Sequence, residues 1–297
     1  MLTQSQLEQF HHDGFLVARD IVPRAVIRDL QEEIDQTIDT QARALQETGE
    51  ITELHEALGF LHRATELCRQ SPRILDPVTN GTHCGRAMFG LIACSAILDV
   101  MEQLLGREII ASSIYRLRPK LPNRPEGVVP WHQDAGYFDT CADEHLVPTC
   151  WVPLMNATVD TGCMEVLPGC HRHGVFRHYW AEIKAPSLSI HPDHMSDVEP
   201  IAVPAEVGDV VLMTNMTPHR STDNRSGLIR WAADLRYNAP QAGDYGPGEA
   251  SFLARSRARP GDVVTDWREF ARLRENHVPA GDVDRKWLKQ DEETFLA

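Results

Sequence analysis

The chemistry-bearing residues of this chain gather in two stretches. The first is Val129-Pro130-Trp131-His132-Gln133-Asp134-Ala135-Gly136-Tyr137-Phe138. Residues two apart on an extended strand point to one side, so His132 and Asp134 could converge on a single point. An imidazole and a carboxylate on one face are two-thirds of the 2-His-1-carboxylate set that holds iron in non-haem Fe(II) oxygenases. The second stretch runs from Thr217-Pro218-His219-Arg220-Ser221 to Leu228-Ile229-Arg230-Trp231-Ala232-Ala233-Asp234-Leu235. His219 follows the apolar run Val210-Val211-Leu212-Met213, which places it on a turn across a sheet from His132. Arg230 shares strand parity with Ala232 and Asp234, opposite Ile229, Trp231, Ala233 and Leu235, and either face could be the interior. An inward Arg needs an anion, because an unpaired buried charge is costly. A dicarboxylate gripped by the guanidinium fork would satisfy it. A surface Arg paired with Asp234 is the plainer alternative.

Other candidates carry weaker signals. His171 and His173 form a His-x-His that could bind zinc, but no further Cys/His cluster of zinc spacing accompanies them. His11, His12, His55, His62 and His277 lie in polar or charged helical surroundings and read as solvated. The seven cysteines form no Cys-x-x-Cys pair. Cys163 and Cys170 could make a disulfide or bind a soft metal, but packing thiols are the expectation, since free Cys behaves as a small hydrophobe. Arg116, Arg118 and Lys120 share one parity ahead of the first stretch, as an exposed basic edge or as cations facing an acidic ligand.

The elements that must position these residues fall into two textures. Gly14-Phe15-Leu16-Val17-Ala18 predicts a short opening strand, and Pro23 starts a helix carrying Val26, Ile27, Leu30, Ile34, Ile38 and Leu45 at helical spacing. Further helices are expected over 62–70 and 95–105, the last closed by Gly106. From Ile109, short β-branched and aromatic runs alternate with Pro, Gly, Asn and Asp. Strands are expected near 109–118, 127–133, 146–155, 163–167, 200–204, 209–214 and 228–237. Seven short strands after a helical third fit a barrel or sandwich braced by helices. No fixed-period repeat or low-complexity linker divides the chain, so one domain over 1–297 is expected: a helical N-terminal third over 1–106, a β core of about 107–238 and a cover over 240–297 with a helix near 266–275.

Bulk properties narrow the partners. The 297 residues are 42% hydrophobic and 24% charged with a formal net charge of -14, a globular composition that disfavours nucleic acid or an anionic membrane as partner. The N-terminus has no basic region leading into an apolar core, no apolar run is expected to span a membrane, and the cysteine pattern fits a reducing compartment, so a cytoplasmic location is expected.

Taken in order, His132-x-Asp134, His219, Ser221 and Arg230 resemble the phytanoyl-CoA dioxygenase (PhyH) family of Fe(II)/2-oxoglutarate oxygenases. The resemblance extends to Phe10-His11-His12-Asp13-Gly14-Phe15-Leu16-Val17, to Cys150-Trp151-Val152-Pro153-Leu154 and to Gly162-Cys163-Met164-Glu165-Val166-Leu167-Pro168-Gly169-Cys170-His171, where Cys170 replaces the usual Ser. It covers about residues 5–238. It implies a double-stranded β-helix, or jelly roll, with Fe(II) held by His132, Asp134 and His219. It further implies 2-oxoglutarate held at its distal carboxylate by Arg230 with help from Ser221, Trp151 lining that pocket, and Arg118, in a family-like Arg-Pro step, close to the co-substrate. The implied chemistry spends O2 and 2-oxoglutarate, releases succinate and CO2, and oxidises an unactivated C–H of a small-molecule substrate. Related halogenases leave the carboxylate position to Gly or Ala, so Asp134 favours hydroxylation, desaturation or epoxidation.

Two other classes compete: a zinc hydrolase or isomerase on the same ligands, which leaves Arg230 and Ser221 idle, and a non-catalytic jelly-roll binding protein, which the intact ligand set disfavours. Substrate contacts are expected in loops 136–145, 171–200 and 245–259. Tyr137, Phe138, Phe176, Tyr179 and Trp180 are expected to line an aromatic mouth. Nothing in the sequence separates a monomer from a homo-oligomer.

Overall fold

The computed structural model describes residues 1–79, 83–124, 127–181, 187–243, 251–275 and 288–289. The chain opens with α1 (Gln4–Asp13), whose first turn is closed by a capping box between Thr3 and Gln6. Gly14 ends it at φ 81° and turns the chain directly into β1 (Phe15–Ala18). The long α2 (Arg24–Glu47) buries the expected stripe of Ile27, Leu30, Ile34, Ile38, Ala42 and Leu45. The larger of these side chains each contribute about 1.5–3 kcal/mol of burial free energy. Four helices follow: α3 (Phe60–Gln70), α4 (Asp76–Thr79), α5 (Arg86–Ile92) and α6 (Ser95–Leu105).

Residues 86–105 correct one expectation, for by length and apolar composition they could cross a membrane. The run is broken into α5 and α6 at Ala93–Cys94, and Met88, Leu91, Ile97, Leu98, Val100 and Met101 are buried in the core.

The β region comprises β2 (Glu108–Ala111), β3 (Arg116–Leu117), β4 (Thr149–Pro153), β5 (Met164–Val166), β6 (His178–Ala181), β7 (Ser187–Ile190), β8 (Ile201–Val203), β9 (Val210–Met213), β10 (His219–Ser221), β11 (Ala232–Asn238), β12 (Phe252–Ser256) and β13 (Leu288–Lys289). A large sheet runs β1-β9-β4-β11-β2-β12 with β3 also on β11; a smaller sheet runs β10-β5-β8, and a third β13-β6-β7. The pairings within the first two sheets are antiparallel, giving the jelly roll that the resemblance implied. The helix α7 (Trp267–Glu275) packs Phe270 against Phe89, Tyr115 and Phe252.

The large sheet is buried on both faces, and strand alternation sorts its side chains. Cys150, Val152, Val210, Leu212, Trp231, Ala233 and Leu235 pack with the helices in one core. Their neighbours Trp151, Val211, Met213 and Ala232 face the small sheet in a second core with Met164, Val166 and Val203. Arg230 lies on this second, inner side, which settles which face of its strand is interior.

Two expected strands and one expected turn differ. The 109–118 run breaks into β2 and β3, because the Ser112 hydroxyl accepts from the Ile114 N–H and offers the backbone a local turn instead. The 127–133 run is not a strand: Pro130 has no N–H to donate, and only His132 makes a ladder contact, a bridge to His219. His219, expected on a turn, is the first residue of β10.

Candidate active site

Both halves of the His-x-Asp pair are set by hydrogen bonds rather than by a strand. The His132 N–H donates to the His219 carbonyl at 3.0 Å and the His219 N–H returns to His132 at 2.9 Å. Asp134 then opens a short 3-10 turn, Asp134–Tyr137. Gln133, fully buried between the two, pins the segment: its Nε2 donates to Gly174 and Met216 carbonyls and its Oε1 accepts from the Phe176 N–H. The result brings His132, Asp134 and His219 together, buried, with one ligand atom from each inside 4.8 Å of the others.

The donor set is prepared for a divalent metal. Nδ1 of His132 lies 2.9 Å from the Pro130 carbonyl, and Nδ1 of His219 lies 2.9 Å from that of Thr217. A carbonyl can only accept, so each ring carries its N–H on Nδ1 and turns the Nε2 lone pair inward. Burial and the neighbouring His219 push the His132 imidazole well below its usual range, keeping it neutral. Burial would raise the Asp134 carboxyl, but the Arg236 guanidinium beside it, followed by the two histidines, holds it well below the usual carboxylate range. Arg236 grips Asp134 side-on, Nη2 to Oδ1 at 2.7 Å and Nε to Oδ2 at 3.0 Å, and the Thr149 hydroxyl donates to Oδ2 as well. Three donors leave lone-pair capacity on the Asp134 oxygens for a metal.

A cavity of about 210 Å³ runs from this cluster to a second, cationic end. His132, His219, Ser221, Trp151, Arg118 and Arg230, all expected at the site, line it. Arg230 is 2% exposed, its Cζ lies 5.2 Å over the Trp151 ring, and its Nε has no hydrogen-bond partner. Its alternative partner is taken: Asp234 is bound by Arg118 at 2.7 Å. Burial pulls the Arg230 guanidinium down to about 10, still charged at neutral pH. Beside it, the buried Lys120 Nζ donates to Ser221 Oγ at 2.8 Å and to the Thr222 carbonyl. Burial and Arg230 bring this ammonium down to about 7. Two buried cations, neither ion-paired with a carboxylate among the described residues and one with an orphaned donor, fit a dicarboxylate whose far end would rest there.

Several expectations do not join the site. His171 Nε2 is turned to the His11 carbonyl, and His173 packs on Phe176; His132, Asp134 and His219 form the metal-competent group found among the described residues. Cys163 and Cys170 form no disulfide. None of the five aromatics expected at the mouth lines the cavity. Tyr137 stands edge-on to His132 and to Trp180, whereas Phe138 is buried in a separate cluster with Ala142, Val147 and Ala242. Tyr179 packs on His191 instead. His277, positions 182–186 of the 171–200 loop and 245–250 of the 245–259 loop lie outside the described residues. Arg236 and Thr149 were missed. Arg236 continues the Arg230–Ala232–Asp234 parity by one step, a signal the sequence contained; Thr149 carried none.

A profile of the phytanoyl-CoA dioxygenase (PhyH) family matches residues 10–232. The phytanoyl-CoA dioxygenase domain-containing protein 1 of Bos taurus is 26% identical over 265 residues, covering 78% of this chain and 88% of its own. The 1-deoxypentalenic acid 11-beta-hydroxylase of Streptomyces arenae is 30% identical over 138 residues, covering 43% of this chain and 48% of its own. In fold, the chain is similar to the non-heme monooxygenase ThoJ in its apo form, with a TM-score of 0.60 at 20% identity, covering 90% of this chain and 92% of that one. The chain belongs to the phytanoyl-CoA dioxygenase family and is a non-haem iron, 2-oxoglutarate-dependent oxygenase.

Proposed function

We propose that this chain hydroxylates an unactivated C–H bond of a small organic molecule, consuming 2-oxoglutarate and O2 and releasing succinate and CO2. The observation that carries the reading is a single cavity with His132 and His219, beside the buried Asp134, at one end and the carboxylate-free Arg230 at the other. His132, Asp134 and His219 would hold the iron. Iron bound there, with the keto acid and O2, supplies the oxidant for the C–H bond.

The remaining chemistry belongs to the chain. Arg230 grips the distal carboxylate of 2-oxoglutarate, braced against Trp151. Lys120 and Ser221 form the second donor pair there; sequence reasoning names Ser221 as the helper and Arg118, with Arg116 and Lys120 as alternatives, as a cation near the ligand. Arg118 is instead half exposed and committed to Asp234. The buried walls, including Trp151, Met164 and Met213, keep bulk water from the reacting centre. Asp134 fills the carboxylate position and leaves no vacancy for a halide, which supports oxygen insertion. The name of the Streptomyces relative, an 11-beta-hydroxylase, supports the same outcome.

The test is succinate formation from 2-oxoglutarate with added Fe(II), screened across small organic molecules. Substrates should raise turnover above the uncoupled level and gain one oxygen atom in mass. Asp134→Ala should form no succinate; full activity in that variant would remove Asp134 from the iron site. A product lacking two hydrogens, with no oxygen gained, would replace hydroxylation with desaturation.

A further inference from the structure

The cavity face of β11 and the segment opposite it carry more positive charge than iron and 2-oxoglutarate account for. Lys120 bridges to Arg230, and Arg116 stands directly across from Asp234. Arg118 falls between them on the same side, and Arg236 follows two residues beyond Asp234. Among the described residues, five cations therefore meet two buried carboxylates, Asp134 and Asp234, while Asp223, which also acts on Lys120, is exposed to solvent. A divalent metal and a dicarboxylate cancel one another. The surplus stays at three positive charges, or two when Lys120 gives up its proton.

Four of the five have a match. Arg236 holds Asp134, Arg118 holds Asp234, and Arg230 with Lys120 awaits the distal carboxylate. Arg116 has none. Among the described residues, the acceptor its guanidinium meets is the Tyr115 carbonyl at 2.8 Å. It is half-buried, and burial together with Arg118, Arg236 and Arg274 brings it down to about 10, with Asp234 offsetting only part of the effect. The Arg274 guanidinium lies 4.7 Å over the Tyr115 ring and donates to the Ser113 carbonyl, so it adds charge beside Arg116. A half-buried cation facing three others is costly until an anion joins it.

We propose that Arg116 anchors a substrate subsite for an oxyanion, a carboxylate or a phosphate ester, at the edge of the active-site cavity. Its cross-strand partner Asp234 and the next inward residue Arg236 both line that cavity. Arg236 in turn touches Asp134, so a molecule held at Arg116 by its anionic group has the rest of its length directed along the cavity wall toward the metal ligands. The planar fork of Arg suits either anion in two-point contact. The proposal rests on the hydroxylase reading for the fate of the bound molecule, not for its binding.

The test loads the protein with Ni(II) and saturating 2-oxoglutarate, so that the Arg230 end is filled, and titrates octanoate, octyl phosphate and octanamide by calorimetry. At least one anion should bind about tenfold more tightly than octanamide, equivalent to about 1.4 kcal/mol, as expected of one charge-assisted contact. Whichever anion binds more tightly identifies a carboxylic acid or a phosphoester as the natural class. Arg116→Gln should bring the three probes within about threefold of one another, and Arg116→Lys, which keeps the charge but loses the fork, should restore some of the preference. Melting curves of both variants report whether the fold is kept. Equal binding of all three probes to the wild type, or an undiminished preference in Arg116→Gln, would overturn the proposal. A wild-type protein that prefers the anion yet forms no succinate would fail the hydroxylase reading and leave the subsite standing.

Discussion

Arg236 turns Asp134 from a costly buried charge into a usable ligand. A carboxylate 2% exposed needs compensation, and the side-on guanidinium supplies it while leaving room for a metal on the oxygens. Removing the guanidinium leaves that charge alone. Arg236→Gln should therefore weaken divalent metal binding by about 10- to 100-fold and lower stability by about 3–5 kcal/mol. Ni(II) titration and denaturant unfolding check the two effects; wild-type metal affinity in the variant would show that Arg236 does not prepare the ligand. Lys120 offers a test with a defined sign. Its ordinary value is about 10.4, and the folded value is about 7. Between these the unfolded chain holds one more proton than the folded one, so the group's penalty is full below pH 7 and is relieved as pH rises toward 10. The melting temperature of the ligand-free protein should accordingly gain from rising pH in this window, and Lys120→Met should remove that gain. Parallel pH slopes in wild type and variant would mean that Lys120 stays charged throughout.

At the scale of elements, β11 and the two residues leading into it do two tasks by alternation. Trp231, Ala233 and Leu235 bind the sheet to the helices, while Arg230, Asp234 and Arg236 arm the cavity. The alternation itself was legible, because period-2 patterning and residue type are local properties of the sequence; which face turns inward was not, and Arg236 was missed. The helical stripes of α2 and α6 were legible for the same reason, as were β1 and the place of α7. The setting of His132 and Asp134 was not. It depends on Gln133 reaching Gly174 and Met216, and on an exchange of backbone hydrogen bonds with His219, all far away in sequence. The pairing of β6 with β7 was equally hidden, since neither run alternates cleanly. The α1–β1 junction shows how tightly such distant contacts bind. Gly14 has φ 81°, and a Cβ there would come within 2.4 Å of His171 Nδ1 and 2.8 Å of Thr217 Oγ1. Gly14→Ala combines backbone strain with a clash two residues from His219. It should cost about 1–3 kcal/mol, and it should loosen metal binding along with the fold. Thermal unfolding and Ni(II) titration read both, and an unchanged melting temperature would show that the His171 loop gives way freely.

Across the whole molecule, the strongly acidic sequence encloses a cavity rich in cations, so the interior must be completed by anions that the exterior does not attract. The two ends of that cavity also come from different regions of the fold. The metal end joins β10 of the small sheet to the 132–134 segment, whereas Arg230 and Lys120 form a bridge just ahead of β11 of the large sheet. A ligand bound at both ends ties the sheets together, and it stabilises the folded state by its binding free energy. Metal alone engages one end, and 2-oxoglutarate alone lacks its partner there. The melting temperature should rise modestly with Ni(II), little with 2-oxoglutarate, and by more than the sum with both. At 100 times the dissociation constant the combined ligand adds about 2.7 kcal/mol. In Arg230→Ala the Ni(II) increment should survive while the additional 2-oxoglutarate increment disappears, because the metal end is intact and the distal carboxylate has lost its fork. Strict additivity in the wild type, or a 2-oxoglutarate increment that persists in Arg230→Ala, would show that the co-substrate does not span the cavity and that the surplus of positive charge serves another ligand.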